Sequence, residues 1–382
     1  MKRFVLLLVF LYLSFNLSGA FFSDNNLNED PWYWMKKLLL IPGVSGSEQK
    51  VADMVMEACP KYLNIQRDNM GNVWFTAGSG GPHLVFVAHT DEIGYIVKEI
   101  TEKGTLKVES RGGFFPKMYE GRPVIIYTGK GPVNGVVLPR AGYLYDNQAA
   151  SQEYSHNDVE IYLGVEDNDG IRELGISIGD QITIKKYITE LSEELLCARG
   201  VDDRAGCAAL LAAAYSIDWS SIKGKTITFA WDVQEEVGLF GAAHLAKKLN
   251  ADYVFPVDTF VSSDGPLDEK RFACLPLGEG MVLRAIDSSS ISPSHELKKL
   301  IEIARKNEIP IQLGNTRGGN DGSVFVPEGG VNLPLSWPGL YSHSFIEKIH
   351  KKDLKTLTKM IIVLVNDFKP ELFIKNAANL DS

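Results

Sequence analysis

From about residue 32 the chain alternates two textures of apolar spacing. Apolar positions recurring every three to four residues predict a helix from Trp32, and Val44-Ser45-Gly46-Ser47-Glu48 supplies the loop and cap of a second, running to about residue 62. Short strands are expected at 64–68 and 72–77, on either side of the turn Asn69-Met70-Gly71. Residues 84–88, Leu-Val-Phe-Val-Ala, form a continuous apolar run of the kind that suits a strand buried on both faces, and His89 follows at its carboxyl end.

At Gly94 the texture changes. Alternating or β-branched runs at 95–100, 105–110, 123–128, 133–138, 159–163 and 181–185, punctuated by Gly, Pro, Asn and Asp, predict a small all-β module. Residues 141–158 are polar and aperiodic, so a long surface loop is expected there, with His156 solvated in it. The α/β pattern resumes at 195–217. A buried strand at 226–233 leads into Gln234-Glu235-Glu236, a helix is expected at 241–249, and a strand at 252–257 ends on Asp258. An amphipathic helix at 293–307 precedes a strand at 309–313 and the Gly-rich turn Gly318-Gly319-Asn320-Asp321-Gly322; residues 344–368 read as mostly helix.

The fold class that follows is α/β: a mixed sheet flanked by helices, with a small barrel-like β domain inserted. The expected division is a leader at 1–20, a first catalytic segment at 21–93, the insertion at 94–194 and a second catalytic segment at 195–382. A chain of 382 residues is long enough for two sizeable cores.

Composition changes this picture at three points. Apolar residues make up 45% and charged residues 23%, which argues against disorder. Lys2-Arg3, the apolar run at 4–15 and the small residues Ser18-Gly19-Ala20 read as a signal peptide, so a secreted or periplasmic protein is expected; a retained anchor is the alternative. Cleavage would remove two positive charges and shift the formal charge from −9 to −11, an acidic body unsuited to nucleic acid. No membrane contact is expected once the leader is gone. The four cysteines, Cys59, Cys197, Cys207 and Cys274, are too sparse for a disulfide scaffold and allow three pairings. Cys207 reads as a small buried hydrophobe.

The candidate chemistry sits where strands end. His89, Glu236 and Asp258 each follow an expected buried strand, and Asp202-Asp203 opens the Ala- and Leu-rich helix. In open α/β sheets ligands bind outside the carboxyl ends of the strands, which gathers such dispersed residues into one crevice. Two imidazoles, His89 and His343, with three carboxylates, Asp202, Glu236 and Asp258, form a donor set suited to divalent metals such as zinc. If one carboxylate bridges, each of two ions receives one His and one terminal carboxylate, with room for a water between them. Glu235, not needed as a ligand, is the candidate general base. Asp91, two residues after His89, lies on the same side of an extended backbone and can accept its second N–H. Taken singly, each residue has a plainer reading as a cap, a core histidine or a surface acid. His83, His244, His295 and His350 are expected at surfaces.

HTDEIG at 89–94, GVDDRAG at 200–206, QEEVG at 234–238, Val257-Asp258, GGND at 318–321 and YSHS at 341–344 together resemble the tetrahedral (TET) aminopeptidases, a family that includes glutamyl, leucyl and deblocking enzymes. The similarity runs from about Trp32 to Phe368. It implies a zinc-peptidase-like, phosphorylase-type α/β domain and a dinuclear centre holding zinc, with cobalt or manganese as alternatives. It also implies Asp202 as the bridge, His89 and Asp258 on one ion, Glu236 and His343 on the other, and a hydroxide between the ions with Glu235 as base. Asp203 would orient the bridge across a cis peptide. The resemblance makes 159–180 part of a dimerisation domain, implies homo-oligomers up to a tetrahedral dodecamer, and gives peptides with a free N-terminus as substrates. Three features depart from the family pattern: the leader, the 141–158 loop, and Leu340, which stands where relatives often carry Arg, so a preference for acidic residues does not follow. The alternatives are a glycosidase, since relatives have been labelled endoglucanases, and a non-catalytic metal-binding scaffold. A glycosidase needs two carboxylates and leaves both histidines without a role.

Overall fold

The computed structural model describes residues 26–143, 153–270 and 273–369. The leader and the middle of the 141–158 loop lie outside them. The α/β texture produces a nine-stranded mixed sheet, ordered Gln66–Arg67, Val73–Ser79, Lys225–Asp232, His83–His89, Tyr253–Val261, Leu335–Gly339, Met281–Ile286 and Ile311–Asn315, with Val331–Asn332 pairing beside Tyr253–Val261. The four strands from Lys225–Asp232 to Leu335–Gly339 run parallel. Val73–Ser79 and Met281–Ile286 join them antiparallel on either side.

Burial on both faces explains the continuous apolar run at 84–88. Leu84, Phe86 and Ala88 pack with the helices Pro31–Leu39, Val201–Ser216 and Lys351–Asp367, while Val85 and Val87 pack with Phe240–Leu249 on the other face. The Ala-rich stretch of Val201–Ser216 is buried from Val201 to Ala214, so small residues let this helix lie close to the sheet. No described helix is long and apolar enough to cross a membrane.

The β insertion forms a closed barrel of Gly94–Ile100, Thr105–Arg111, Glu160–Tyr162, Gly131–Val137, Pro123–Thr128 and Gln181–Thr183, around a core that includes Tyr95, Val97, Leu106, Ile126 and Ile182. A third, three-stranded sheet joins Ile188–Glu190, Leu195–Ala198 and Glu347–His350.

Several expectations are corrected. The insertion is not all β: Asn168–Glu173 is a short helix capped by Asp167, whose side chain accepts from Gly170 N. Six residues burying only Ile171 leave too little periodicity to read. His156 is only partly solvated; it packs edge-on against Tyr95 and Phe114, with the Tyr95 hydroxyl 2.9 Å from Nδ1. The strand expected to end at Asp258 continues to Val261, because Thr259, Phe260 and Val261 pair with Trp337, Pro338 and Gly339. Glu347–His350 is a strand, not the start of the last helix; pairing with Leu195–Ala198 overrides local propensity. The strands Met281–Ile286 and Leu335–Gly339 were not anticipated. None of the three cysteine pairings forms: all four thiols are free, and Cys207 is buried with Sγ 3.0 Å from the His89 carbonyl.

Candidate metal centre

Asp202 lies at the middle of the centre. Gly200, at φ 76°, turns the chain from the Leu195–Ala198 strand, and Asp202 and Asp203 then have non-helical backbone angles with a cis peptide between them. Regular helix starts beyond them. Asp203 Oδ1 accepts from Gly206 N at 2.9 Å, so the capping function belongs to Asp203.

The Asp202 carboxylate divides between two sets of donors. Its Oδ1 is 3.3 Å from His89 Nε2, which is also 3.9 Å from Asp258 Oδ1. Its Oδ2 is 3.8 Å from His343 Nε2, which is 3.2 Å from Glu236 Oε2. Ser342 Oγ donates to the same Oδ2 at 2.8 Å. Donor atoms of His89, Asp202 and Asp258 all lie within 4.8 Å of one another. The five expected metal ligands therefore converge, although sequence separates them widely.

The electrostatics suit cations. Burial alone would lower the His343 pKa, but Glu236 and Asp202 raise it from 6.5 to about 11. His89 is likewise raised against burial, by hydrogen bonding with Asp202 and Asp91. Burial and the Asp202 charge lift Asp258 to about 6, against the pull of Arg284. Burial, reinforced by Asp321, Glu236 and Asp258, holds Glu235 well above the usual carboxylate range despite His89. Carboxylates thus crowd the Nε2 of each imidazole, a concentration of acidic groups that divalent ions would balance. Burial also holds the carboxyls of Asp203 and Asp232 well above the usual carboxylate range. The donor set fits a pair of divalent metals.

Asp91 does more than was expected of it. Its Oδ1 accepts from Glu235 N at 3.0 Å and its Oδ2 from Glu236 N at 3.2 Å and Ser45 Oγ at 2.6 Å, while His89 Nδ1 stands 3.5 Å from Oδ1. The carboxylate thus holds the backbone of both glutamates, with Gln234 at φ 59° making the turn that presents them.

Two residues escaped the sequence reading. Glu347 accepts from the backbone N–H groups of Asp202 and His343, and the Gly113 carbonyl lies 2.6 Å from His343 Nδ1. A carbonyl carries no sequence signal; an acid four residues after His343 offers only a faint one. His83, His244 and His350 are engaged elsewhere, with Thr228, Asp68 and Lys352 N respectively. The centre opens into a cleft of about 800 Å³, which Phe114, Phe115, Leu239 and Val261 also line.

Behind the Asp202 turn lies a buried charge cluster. Glu92 meets Lys186, Arg199 at 3.5 Å and Arg204 at 3.8 Å, and all four side chains are at most 4% exposed. A Cβ on Gly200 would approach Glu92 Oε2 to 2.6 Å and Lys186 Nζ to 3.0 Å at a left-handed φ. Gly200→Ala is accordingly expected to lower stability by about 1–3 kcal/mol, read as a reduced denaturation midpoint; an unchanged midpoint would show that the turn relaxes freely.

A sheet with an imidazole–carboxylate centre at its strand ends and a barrel inserted between its halves defines a zinc-peptidase-like hydrolase fold. The chain belongs to the M42 glutamyl aminopeptidase family, whose model matches residues 71–360. It is 29% identical to the glutamyl aminopeptidase of Lactococcus lactis subsp. cremoris, over 88% of this chain and 96% of that protein. It is 28% identical to the lysyl aminopeptidase of Pyrococcus furiosus, over 89% and 98% respectively. Among solved structures, the TET1 peptidase of Pyrococcus horikoshii is 34% identical with a TM-score of 0.81, over 88% of this chain and 99% of its own; that protein is described as assembling into a tetrahedron or a large octahedral shell.

Proposed function

We propose that this chain is a metal-dependent aminopeptidase that removes N-terminal residues from peptides. The observation that carries the reading is the division of Asp202, one oxygen toward His89 and Asp258 and the other toward His343 and Glu236. Those five residues would hold two divalent ions, zinc or else cobalt or manganese, which when bound supply Lewis-acid polarisation of a carbonyl and acidification of a water.

The remaining work falls to the chain itself. Glu235 lines the cleft beside these residues, and its backbone is fixed by Asp91. It takes the proton of the attacking water at its carboxylate and passes it to the leaving nitrogen; a carboxyl raised by burial suits both halves of that transfer. Asp91 keeps Glu235 and Glu236 side by side in separate roles, one free to move a proton and one committed to binding.

The glycosidase alternative leaves His89 and His343 unused, and the scaffold alternative gives no reason for an ionisable group beside the donor set. The reading includes a homo-oligomer, in keeping with the TET1 relative, and export by the N-terminal leader, which N-terminal sequencing of secreted material checks. Removing metal with a chelator should abolish hydrolysis of amino-acyl chromogenic amides, and zinc or cobalt should restore it, with about two ions per chain. Full activity in metal-free protein, or release of reducing sugar from cellulose in place of peptide cleavage, would overturn the proposal. The same assay over a panel of amino-acyl amides reads the residue preference.

A further inference from the structure

Glu347 belongs to no expected ligand set, yet its carboxylate reaches the centre from behind. It is 2% exposed and, among the described residues, makes no ion pair within 4 Å. Its Oε2 accepts from Asp202 N at 3.1 Å and its Oε1 from His343 N at 3.1 Å. The strand that carries it pairs with Leu195–Ala198, and Glu347 is in register with Ala198, just before the Gly200 turn. One side chain therefore ties together two loops that are distant in sequence.

Both loops need to be held. Asp202 departs from helical geometry within the turn, and His343 sits at φ 61°, a region that a non-glycine residue keeps only when its surroundings enforce it. The His343 ring is fixed separately through Nδ1 by the Gly113 carbonyl, so Glu347 acts on its backbone and Gly113 on its imidazole. His89 and Asp258 depend on neither: they lie on the central strands His83–His89 and Tyr253–Val261.

We propose that Glu347 is a positioning residue that assembles the His343–Glu236 half of the centre by clamping the backbones of Asp202 and His343. The proposal rests on the two-ion reading of the site. It makes the two halves unequal: they share Asp202, but one takes its other ligands from the central strands, while the other takes His343 from a loop whose backbone Glu347 holds.

The test is cobalt(II) titration of metal-free protein, followed by visible absorption and equilibrium dialysis, with the thermal midpoint recorded alongside. Wild type should take up two equivalents. Glu347→Gln keeps the size of the side chain but offers one acceptor for two N–H groups. Its first equivalent should bind as in wild type and its second about 10–100-fold more weakly, the usual effect of losing an outer hydrogen-bond partner of a ligand. Two unaltered equivalents would overturn the proposal, and so would equal weakening of both, which would mark Glu347 as a general structural residue. Should the Gln variant not fold, Glu347→Asp, with both oxygens a methylene short, takes the same readings. Wild type that binds no cobalt would remove the metal-dependent function itself, an outcome separate from two equal equivalents in the variant.

Discussion

Glu235→Gln should cut kcat by about 10²–10⁴, the range that a positioned general base contributes, while metal stays bound and the fold is unchanged. Gln preserves the length and hydrogen-bonding reach of the side chain, and the backbone N–H of residue 235 still meets Asp91 Oδ1. What disappears is the capacity to take a proton. In the native chain that proton would reside on a carboxyl that burial, with Asp321, Glu236 and Asp258 behind it, keeps well above its ordinary pKa. KM should change little, because binding does not call on the lost proton. Steady-state kinetics beside metal analysis separates the cases: activity within tenfold of wild type would place the base elsewhere, and loss of metal would make Glu235 a ligand.

Glu92→Gln should be the most destabilising single change in this group, by about 3–5 kcal/mol, because it leaves buried cations without their counter-ion. Burial alone would raise the Glu92 pKa, but Arg199, Lys186 and Arg204 bring it from 4.5 down to about 2. A depressed carboxylate stabilises the fold fully above its unfolded value and loses that contribution as pH falls through its folded value. The gap between wild type and variant should therefore be widest above about pH 4.5 and close as pH approaches 2. Denaturant midpoints over that interval provide the measurement; a gap independent of pH would mean that shape, not charge, accounts for the loss.

The parts of this molecule that were legible in the sequence are those whose signal is local. The run at 84–88 announces a strand buried on both faces, and the residue after it, His89, arrives at the centre as expected. The six-strand insertion was visible as alternation broken by turns. Glu347–His350 was misread because its strand exists only through pairing with Leu195–Ala198, a contact about 150 residues away in sequence. Asp258 reads as a strand end for the same reason: nothing local marks Leu335–Gly339, whose pairing extends its strand to Val261. At the centre, residue types pointed to the side chains that converge there, but not to what holds them. Asp91 was expected to serve a histidine and was found gripping two backbone amides, because hydrogen bonds to main chain leave no trace in residue identity.

The Gly113 carbonyl is one of the points at which the barrel acts on the centre. Accepting from His343 Nδ1, it selects the tautomer that leaves Nε2 facing Asp202 and Glu236. The loop that follows the barrel strand Thr105–Arg111 thus serves as a remote fastener for the His343 imidazole. A barrel transplanted from a relative could restore every strand and still leave the ring free to flip, unless the graft returned one oxygen atom to the same place. Selection on this loop should therefore follow the chemistry of the cleft more closely than the stability of the barrel that carries it.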